Sequence, residues 1–292
     1  MIDTPILVVS TVARMRELVR DWRARSQSVA LVPTMGALHD GHLALVRRAK
    51  AAADRVVTSI FVNPTQFAPH EDFTTYPRTF ESDCAKLAAL GCDAVWAPTA
   101  AEMYPDGFAT TISLGGPAEG LETDFRPNFF KGVATVCCKL FTQVAPDVAV
   151  FGEKDYQQLC VIQRMVSDLD LPLSIIGHPT VREASGLAMS SRNAYLDDSE
   201  RDVATALHRT MSELAARVRS GDAIGPSERE AAAQLLDAGF SSVDYITVRN
   251  ARTLRPIDVG DHAARLQSRI LAAAWLGKTR LIDNIPVCDD AA

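Results

Sequence analysis

The chain has 292 residues, 47% hydrophobic and 23% charged, enough apolar material for one large or two ordinary globular domains. Its formal net charge of −6 argues against a nucleic-acid partner, whose phosphates require a basic face, yet a local cluster of cations and backbone N–H groups can still hold a small anion. The opening MIDTPILVVSTVARMREL lacks a basic segment followed by a long apolar run, and no stretch approaches the ~20 residues of a membrane span, so a cytoplasmic protein with no membrane partner is expected.

In chain order, Ser10 is placed to cap a first helix whose Val12, Met15, Leu18, Val19 and Trp22 form one apolar stripe. VALVP (29–33) reads as a short buried strand stopped by Pro33, followed by a helix carrying Leu43, Leu45, Val46 and Ala49. RVVTSIFV (55–62) is the next strand, 82–90 a helix closed by Gly91, and DAVWAP a further strand. The rhythm repeats with a helix over 131–145, a strand over 147–152, a helix over 154–169 and the strand LSIIGHP. Strands that are apolar throughout and alternate with helices indicate a parallel sheet covered on both faces, a doubly wound α/β domain with its ligand beyond the carboxyl ends of the strands. After about residue 184 the pattern changes to a loop, a long helix through Val203, Leu207, Met211, Leu214 and Val218, a shorter helix near 227–238, and three strands. That order predicts a smaller α+β domain over 184–292 behind a Rossmann-like domain over 1–183.

Four stretches carry candidate chemistry. PTMGALHDGH joins a strand to a helix; Gly36 and Gly41 give a ligand clearance, first-turn N–H groups suit phosphate, and His39 and His42, three apart, put both imidazoles on one side. A pair of surface histidines or a zinc site are the alternatives, the second without an obvious third ligand. FGEKDYQQL (151–159) again ends a strand in glycine, with Lys154 able to reach phosphate and Gln157 and Gln158 able to hold a hydroxyl or carboxylate, unless all three are simply solvated. GLAMSSRN (186–193) can close over a triphosphate through hydroxyls and a guanidinium, or be a linker. SIFVNPTQF (59–67) sets Gln66 just past a strand end, where a solvated amide is the alternative. The six cysteines contain no C-x-x-C pair and read as buried thiols in a reducing compartment.

Together with YPRT (76–79) and AAWLGKTRLIDN (273–284), these stretches resemble, in order and over nearly the whole chain, the pantothenate synthetase family, a branch of the H-I-G-H nucleotidyltransferases. The resemblance implies an AMP-forming ligase that condenses (R)-pantoate with β-alanine through a pantoyl adenylate, using ATP and Mg2+, in a homodimer with a C-terminal lid. It implies that Met35, Gly36, Ala37, Leu38, His39, Asp40, Gly41 and His42 line the ATP site, His42 as proton donor and His39 on phosphate. Gly152, Glu153, Lys154 and Asp155 would bind nucleotide, Val181 adenine through its backbone, and Met189, Ser190, Ser191 and Arg192 would clamp the triphosphate like a K-M-S-K-S loop. Gln66 and Gln158 would hold pantoate, and no protein ligand for the metal is identified. These glutamines separate the ligase from a nucleotidyltransferase of the same superfamily, and the intact His39, His42, Lys154, Ser190, Ser191 and Arg192 speak against a non-catalytic ATP-binding protein. Three positions depart from the family pattern: Phe129 for a histidine, Thr65 for a methionine and Ser185 for an aspartate. Asp83 lies where the family can place carboxylates near magnesium.

Overall fold

The computed structural model describes residues 6–68, 71, 73–257 and 262–288. Its contacts divide it into two compact units, Met1–Gly152 with Val161–Pro179, and Glu153–Cys160 with Thr180–Ala292. Residues 153–160 therefore group with the C-terminal residues, although the expected division runs at 183/184.

In the first unit the chain runs β1 (Leu7–Val9), α1 (Val12–Arg23), β2 (Val29–Thr34), α2 (Asp40–Lys50), β3 (Arg55–Ile60), α3 (Phe80–Ala89), β4 (Ala94–Trp96), the short α4 (Ala100–Met103) and α5 (Glu122–Phe125), α6 (Phe129–Val144) and β5 (Val148–Gly152). Helix α7 (Tyr156–Asp168) contributes residues to both units and leads to β6 (Ser174–His178). The six strands form one parallel sheet in the order β1-β4-β3-β2-β5-β6. Valine- and alanine-rich strands with no exposed face, such as β2 with Val29, Ala30, Leu31 and Val32 fully buried, need cover on both sides, and helices α2 and α6 pack against β2. This is the expected doubly wound α/β arrangement. Strand order reverses between β2 and β5, so the chain leaves Thr34 and Gly152 on either side of the crevice where ligands of such sheets bind.

Local details differ from the sequence reading for physical reasons. Thr11, not Ser10, caps α1, its hydroxyl accepting the Arg14 N–H at 3.4 Å. Strand β2 does not stop at Pro33 but pairs with β3 through Thr34. On its other side β2 meets β5 only at Ala30 and Leu31, so a residue without an N–H costs no ladder bond there. Strand β1 escapes the sequence pattern because it is three residues long at a sheet edge, with Leu7 and Val8 exposed. Gly91 is the left-handed residue (φ 65°) beyond the end of α3, where its N–H reaches the Ala88 carbonyl at 2.9 Å.

The second unit continues with α8 (Asp198–Ser220), α9 (Ile224–Asp237), β7 (Ser242–Asn250), α10 (His262–Leu266), β8 (Ser268–Leu276) and β9 (Thr279–Pro286). Asp197 and Glu200 form a reciprocal capping box at the start of α8, and Gly221 (φ 96°) ends it. The apolar stripe of α8, including Leu207, Met211, Leu214 and Val218, packs with Ile246, Val248, Ile270, Ala272 and Ala274 of an antiparallel β7-β8-β9 sheet. This is the smaller α+β unit the sequence predicts. Among the described residues no helix is long and apolar enough to cross a membrane.

Candidate functional site

The corner after β2 is built by two reciprocal bonds. His39 is the extended residue before α2 (φ −120°, ψ 175°), not its first turn, and His42 is the third helical residue. The Gly41 N–H donates to His39 Nδ1 at 3.2 Å, and the His39 N–H donates to His42 Nδ1 at 3.4 Å, a capping box made of imidazoles. The rings lie with centroids 4.1 Å apart. A neutral imidazole whose Nδ1 accepts carries its proton on Nε2, so the same bonds that start the helix set both rings as Nε2–H donors. Of the two glycines, only Gly36 needs its freedom: its φ is 86°, and a Cβ there would stand 3.2 Å from both Asp83 Oδ2 and Ile60 Cγ2. Gly41 lies in ordinary helical conformation inside α2, where it serves as a donor to His39.

Asp83, fully buried on α3, braces this corner. Its Oδ2 accepts the Ala37 N–H and its Oδ1 the Leu38 N–H, each at 2.9 Å, and the Thr79 hydroxyl adds a third bond at 3.1 Å. Lys86, one turn further along α3, donates to the Leu38 carbonyl at 2.7 Å. Ala37 is held at φ 51°, a left-handed conformation unfavourable to a residue with a Cβ, and the paired amides offset that cost.

Gln66 comes to the same corner through the 3-10 turn Pro64–Gln66, its Nε2 lying 3.1 Å from Met35 Sδ. Asn63, 1% exposed, organises the turn. Its Oδ1 accepts from Thr65 N, Thr65 Oγ1 and Tyr104 OH, while its Nδ2 donates to Gln66 Oε1 at 3.1 Å and to the Gly132 carbonyl at 3.2 Å. The Asn63 amide thereby fixes which end of the Gln66 carboxamide accepts. Burial of Tyr104 pushes its phenol up, keeping it a neutral donor. Arg126 grips Glu71 at 2.6 and 2.7 Å, donates to the Gln66 carbonyl at 3.3 Å, and lies with its guanidinium 3.8 Å from the centre of the Phe129 ring. The departure at Phe129 thus places an apolar ring under an arginine, where stacking and cation–π attraction hold it.

The second unit carries the other candidates. Glu153, Lys154 and Asp155 form a 3-10 turn ahead of α7, so Lys154 precedes the α-helix instead of opening it. Gln158 is half-buried, whereas Gln157 is only 3% exposed, which excludes the solvated reading for it. Val181 and Met189 are brought together in a small hairpin: the Met189 N–H donates to the Val181 carbonyl at 3.0 Å, Glu183 N–H to Leu187 O at 2.8 Å, and Gly186 (φ 90°) makes the bend. Arg182 ties this hairpin to β9 through two bonds to Asp283, at 2.6 and 3.0 Å. Ser190 Oγ accepts the Arg192 N–H at 3.2 Å and so caps the 3-10 turn Ser191–Tyr195.

The candidates therefore fall into two sets: Met35–His42, Gln66 and Gly152 in the first unit, and Glu153–Asp155, Gln158, Val181 and Met189–Arg192 in the second. Sequence reasoning passes over Asn63 as part of a turn, and over Tyr104, Arg126 and Lys86; the Asn-Pro dipeptide after a strand is the one usable signal. Among the described residues no group of three or more His, Cys, Asp and Glu could hold a metal ion, and both Asp83 oxygens are already committed to backbone amides. All six cysteines are free thiols, and burial pushes Cys137 up to about 12 and Cys160 up to about 11.

Comparison with known proteins identifies relatives over the whole of this architecture. The family model described as Pantoate-beta-alanine ligase matches residues 7–286. A pantothenate synthetase of Caulobacter vibrioides is 56% identical over 284 residues, 97% of this chain and 99% of that one. One from a Bradyrhizobium species is 57% identical over 285 residues, again 97% and 99%. Among solved structures, the pantothenate synthetase of Thermus thermophilus superposes with a TM-score of 0.89 at 43% identity, covering 97% of this chain and all of that one. The pantoate-beta-alanine ligase of Francisella tularensis, complexed with beta-gamma ATP and beta-alanine, gives a TM-score of 0.81 at 32% identity over 97% and 98%.

Proposed function

The chain belongs to the pantoate–β-alanine ligase family and is a ligase, and from that premise we propose how its own residues carry the ATP-dependent condensation of (R)-pantoate with β-alanine. In the first step a pantoate carboxylate oxygen attacks the α-phosphorus of ATP, and the bond to the β-phosphate oxygen breaks, releasing pyrophosphate and leaving pantoyl adenylate. In the second the β-alanine amine attacks the acyl carbon, the bond to the phosphate oxygen breaks, and AMP departs as the amine gives up its proton. The first step is needed because a free carboxylate has no good leaving group.

The observation that carries this reading is the imidazole capping box at the carboxyl end of β2, beside the reversal of strand order. Two Nε2–H donors set by the fold, and not by the ligand, are suited to phosphate oxygens on which charge builds in the transition state. His42 is assigned the proton-donor role and His39 phosphate contact. Met35 through Gly41 and Gly152 through Asp155 line the nucleotide, and Lys154 meets phosphate charge. Val181 offers backbone to adenine, while Met189, Ser190, Ser191 and Arg192 close on the triphosphate. Gln66, with its amide oriented by Asn63, and Gln158 hold pantoate.

Magnesium is taken as part of the ATP substrate, where it would offset triphosphate charge and favour pyrophosphate departure. This is supported by the commitment of Asp83 to the loop it braces. The C-terminal unit is assigned as a lid domain, and the working form as a cytoplasmic homodimer.

The test is AMP release from ATP and magnesium with pantoate and β-alanine each omitted in turn, for the wild type and His42→Ala. AMP release that requires both substrates and collapses in the variant is the expected result. Wild-type protein that binds ATP but yields no AMP with both substrates present would overturn the reading.

A further inference from the structure

We propose that Asn284 and Arg269, on neighbouring strands of the C-terminal sheet, are positioning residues for Lys154. The inference rests on Lys154 meeting ATP phosphate charge. Asn284 is 3% exposed, and both ends of its side-chain amide are engaged. Its Nδ2 donates to the carbonyls of Glu153 and Lys154, both at 2.8 Å, and its Oδ1 accepts from Arg269 Nη1. Arg269, 6% exposed, completes the buckle: its Nη2 bonds Glu153 Oε2 at 3.0 Å, and its guanidinium lies 3.8 Å from the centre of the Tyr156 ring. One amide and one guanidinium thus hold two successive backbone carbonyls, the side chain before Lys154 and the ring after it.

Packing alone does not account for this arrangement. Strand β8 is otherwise an apolar run, with Ile270, Leu271, Ala272, Ala273 and Ala274 all buried, and a buried arginine–carboxylate pair is often no more stabilising than apolar residues of similar volume. The turn it grips is a 3-10 turn, whose own hydrogen bonds are poorer than those of an α-helix, so its backbone needs an outside anchor to be held to a fraction of an ångström. Among the described residues the Lys154 ammonium has no ion-pair partner, so its placement depends on the backbone that bears it. The buckle supplies that placement, and it gives the closing RLIDN stretch a role in the nucleotide chemistry exerted wholly through the turn it holds.

The experiment is a double-mutant cycle on purified full-length protein. Pyrophosphate release with ATP, magnesium and pantoate is measured for the wild type, Asn284→Asp, Lys154→Ala and the double variant, with thermal unfolding and the KM for β-alanine alongside. Asp keeps the shape and the acceptor facing Arg269 but has no N–H for the two carbonyls. Expected is a fall of about ten- to a hundred-fold in pyrophosphate release with the β-alanine KM unchanged, because a displaced charge affects the phosphoryl step. In the Lys154→Ala background the same substitution should change the rate by about two-fold or less, the positioned group being gone. An equal loss in both backgrounds, or no loss in folded Asn284→Asp, overturns the inference while leaving Lys154 in its role. A silent Lys154→Ala overturns the role and the inference together. Should Asn284→Asp fail to fold, Arg269→Lys goes through the same cycle: it keeps a cation but lacks the fork that spans Glu153 and Asn284.

Discussion

The rings of His39 and His42 lie 4.1 Å apart because each Nδ1 accepts a backbone N–H from the turn they share. Capping and chemistry are therefore carried by different nitrogens of one ring and can be separated. His39→Asn retains an acceptor for the Gly41 N–H, asparagine being among the strongest N-caps, but loses the Nε2–H. Thermal unfolding should stay within about 2 °C of the wild type. AMP formation should fall by about a hundred-fold, the usual cost of removing one preorganised donor. Full activity in this variant would reduce His39 to a helix cap.

Asp83→Asn tests the brace beneath the same corner. The amide has one acceptor for two backbone donors, so its NH2 must face the N–H of Ala37 or Leu38. Leaving that buried donor unpaired costs about 1–3 kcal/mol, read as a shifted urea midpoint. Because Ala37 sits at φ 51°, the loop should also relax away from its strained conformation, raising the KM for ATP more than it lowers kcat. A raised magnesium requirement with unaltered stability would instead make Asp83 a metal ligand.

The contrast between these residues shows where sequence reading succeeds. The strand ends, and with them the positions of His39, His42, Lys154 and Gln66 as candidates, are legible because each lies within a few residues of a β-branched run or a glycine, and periodicity locates such junctions. Asp83 is not legible as a brace: it acts on amides 45 and 46 residues away, and a carboxylate in a first helical turn looks the same whether it faces solvent or a loop. Asn284 is equally silent, 130 residues from the Lys154 carbonyl it binds. The imidazole cap lies between these cases: the i, i+3 spacing is visible, but by itself it reads as two helical positions when the first residue is extended. Local rules place elements; the partners of buried polar atoms are decided by packing that no local window contains.

Gly132→Ala sets two effects against each other. Inside α6, alanine gains about 1 kcal/mol of helix propensity over glycine. A Cβ there, however, would meet the Thr65 carbonyl oxygen at 2.5 Å and Gln66 Cα at 2.8 Å, both backbone atoms that cannot swing aside as a side chain would. Overpacking costs about 1–3 kcal/mol or more, so the clash wins and the turn bearing Gln66 shifts. The variant should unfold at lower temperature and show a raised KM for pantoate with the KM for ATP less affected. A more stable protein with unchanged pantoate KM would mean the turn is free to yield.

His208 gives a pH dependence with a definite sign. Burial lowers its pKa below the ordinary 6.5, the Arg182 charge lowers it further, and Asp283 opposes them. The unfolded imidazole therefore binds a proton before the folded one does. Between the folded pKa and 6.5 the unfolded state holds more protons, so stability is fully present above 6.5 and is lost as the pH falls through that window. The exposed carboxylates Asp54 and Asp197, each lowered below 3.8 chiefly by hydrogen bonds, lose their contribution in a more acid range and do not overlap with it. Gly186 ties the titration to the 186–193 loop, since a Cβ on it would stand 3.0 Å from His208 Nδ1. Urea midpoints measured from neutral pH downward should decline below 6.5 in the wild type and stay flatter in His208→Gln over the same interval. Parallel curves for the two proteins would show that His208 titrates alike folded and unfolded, and that the acid loss begins elsewhere.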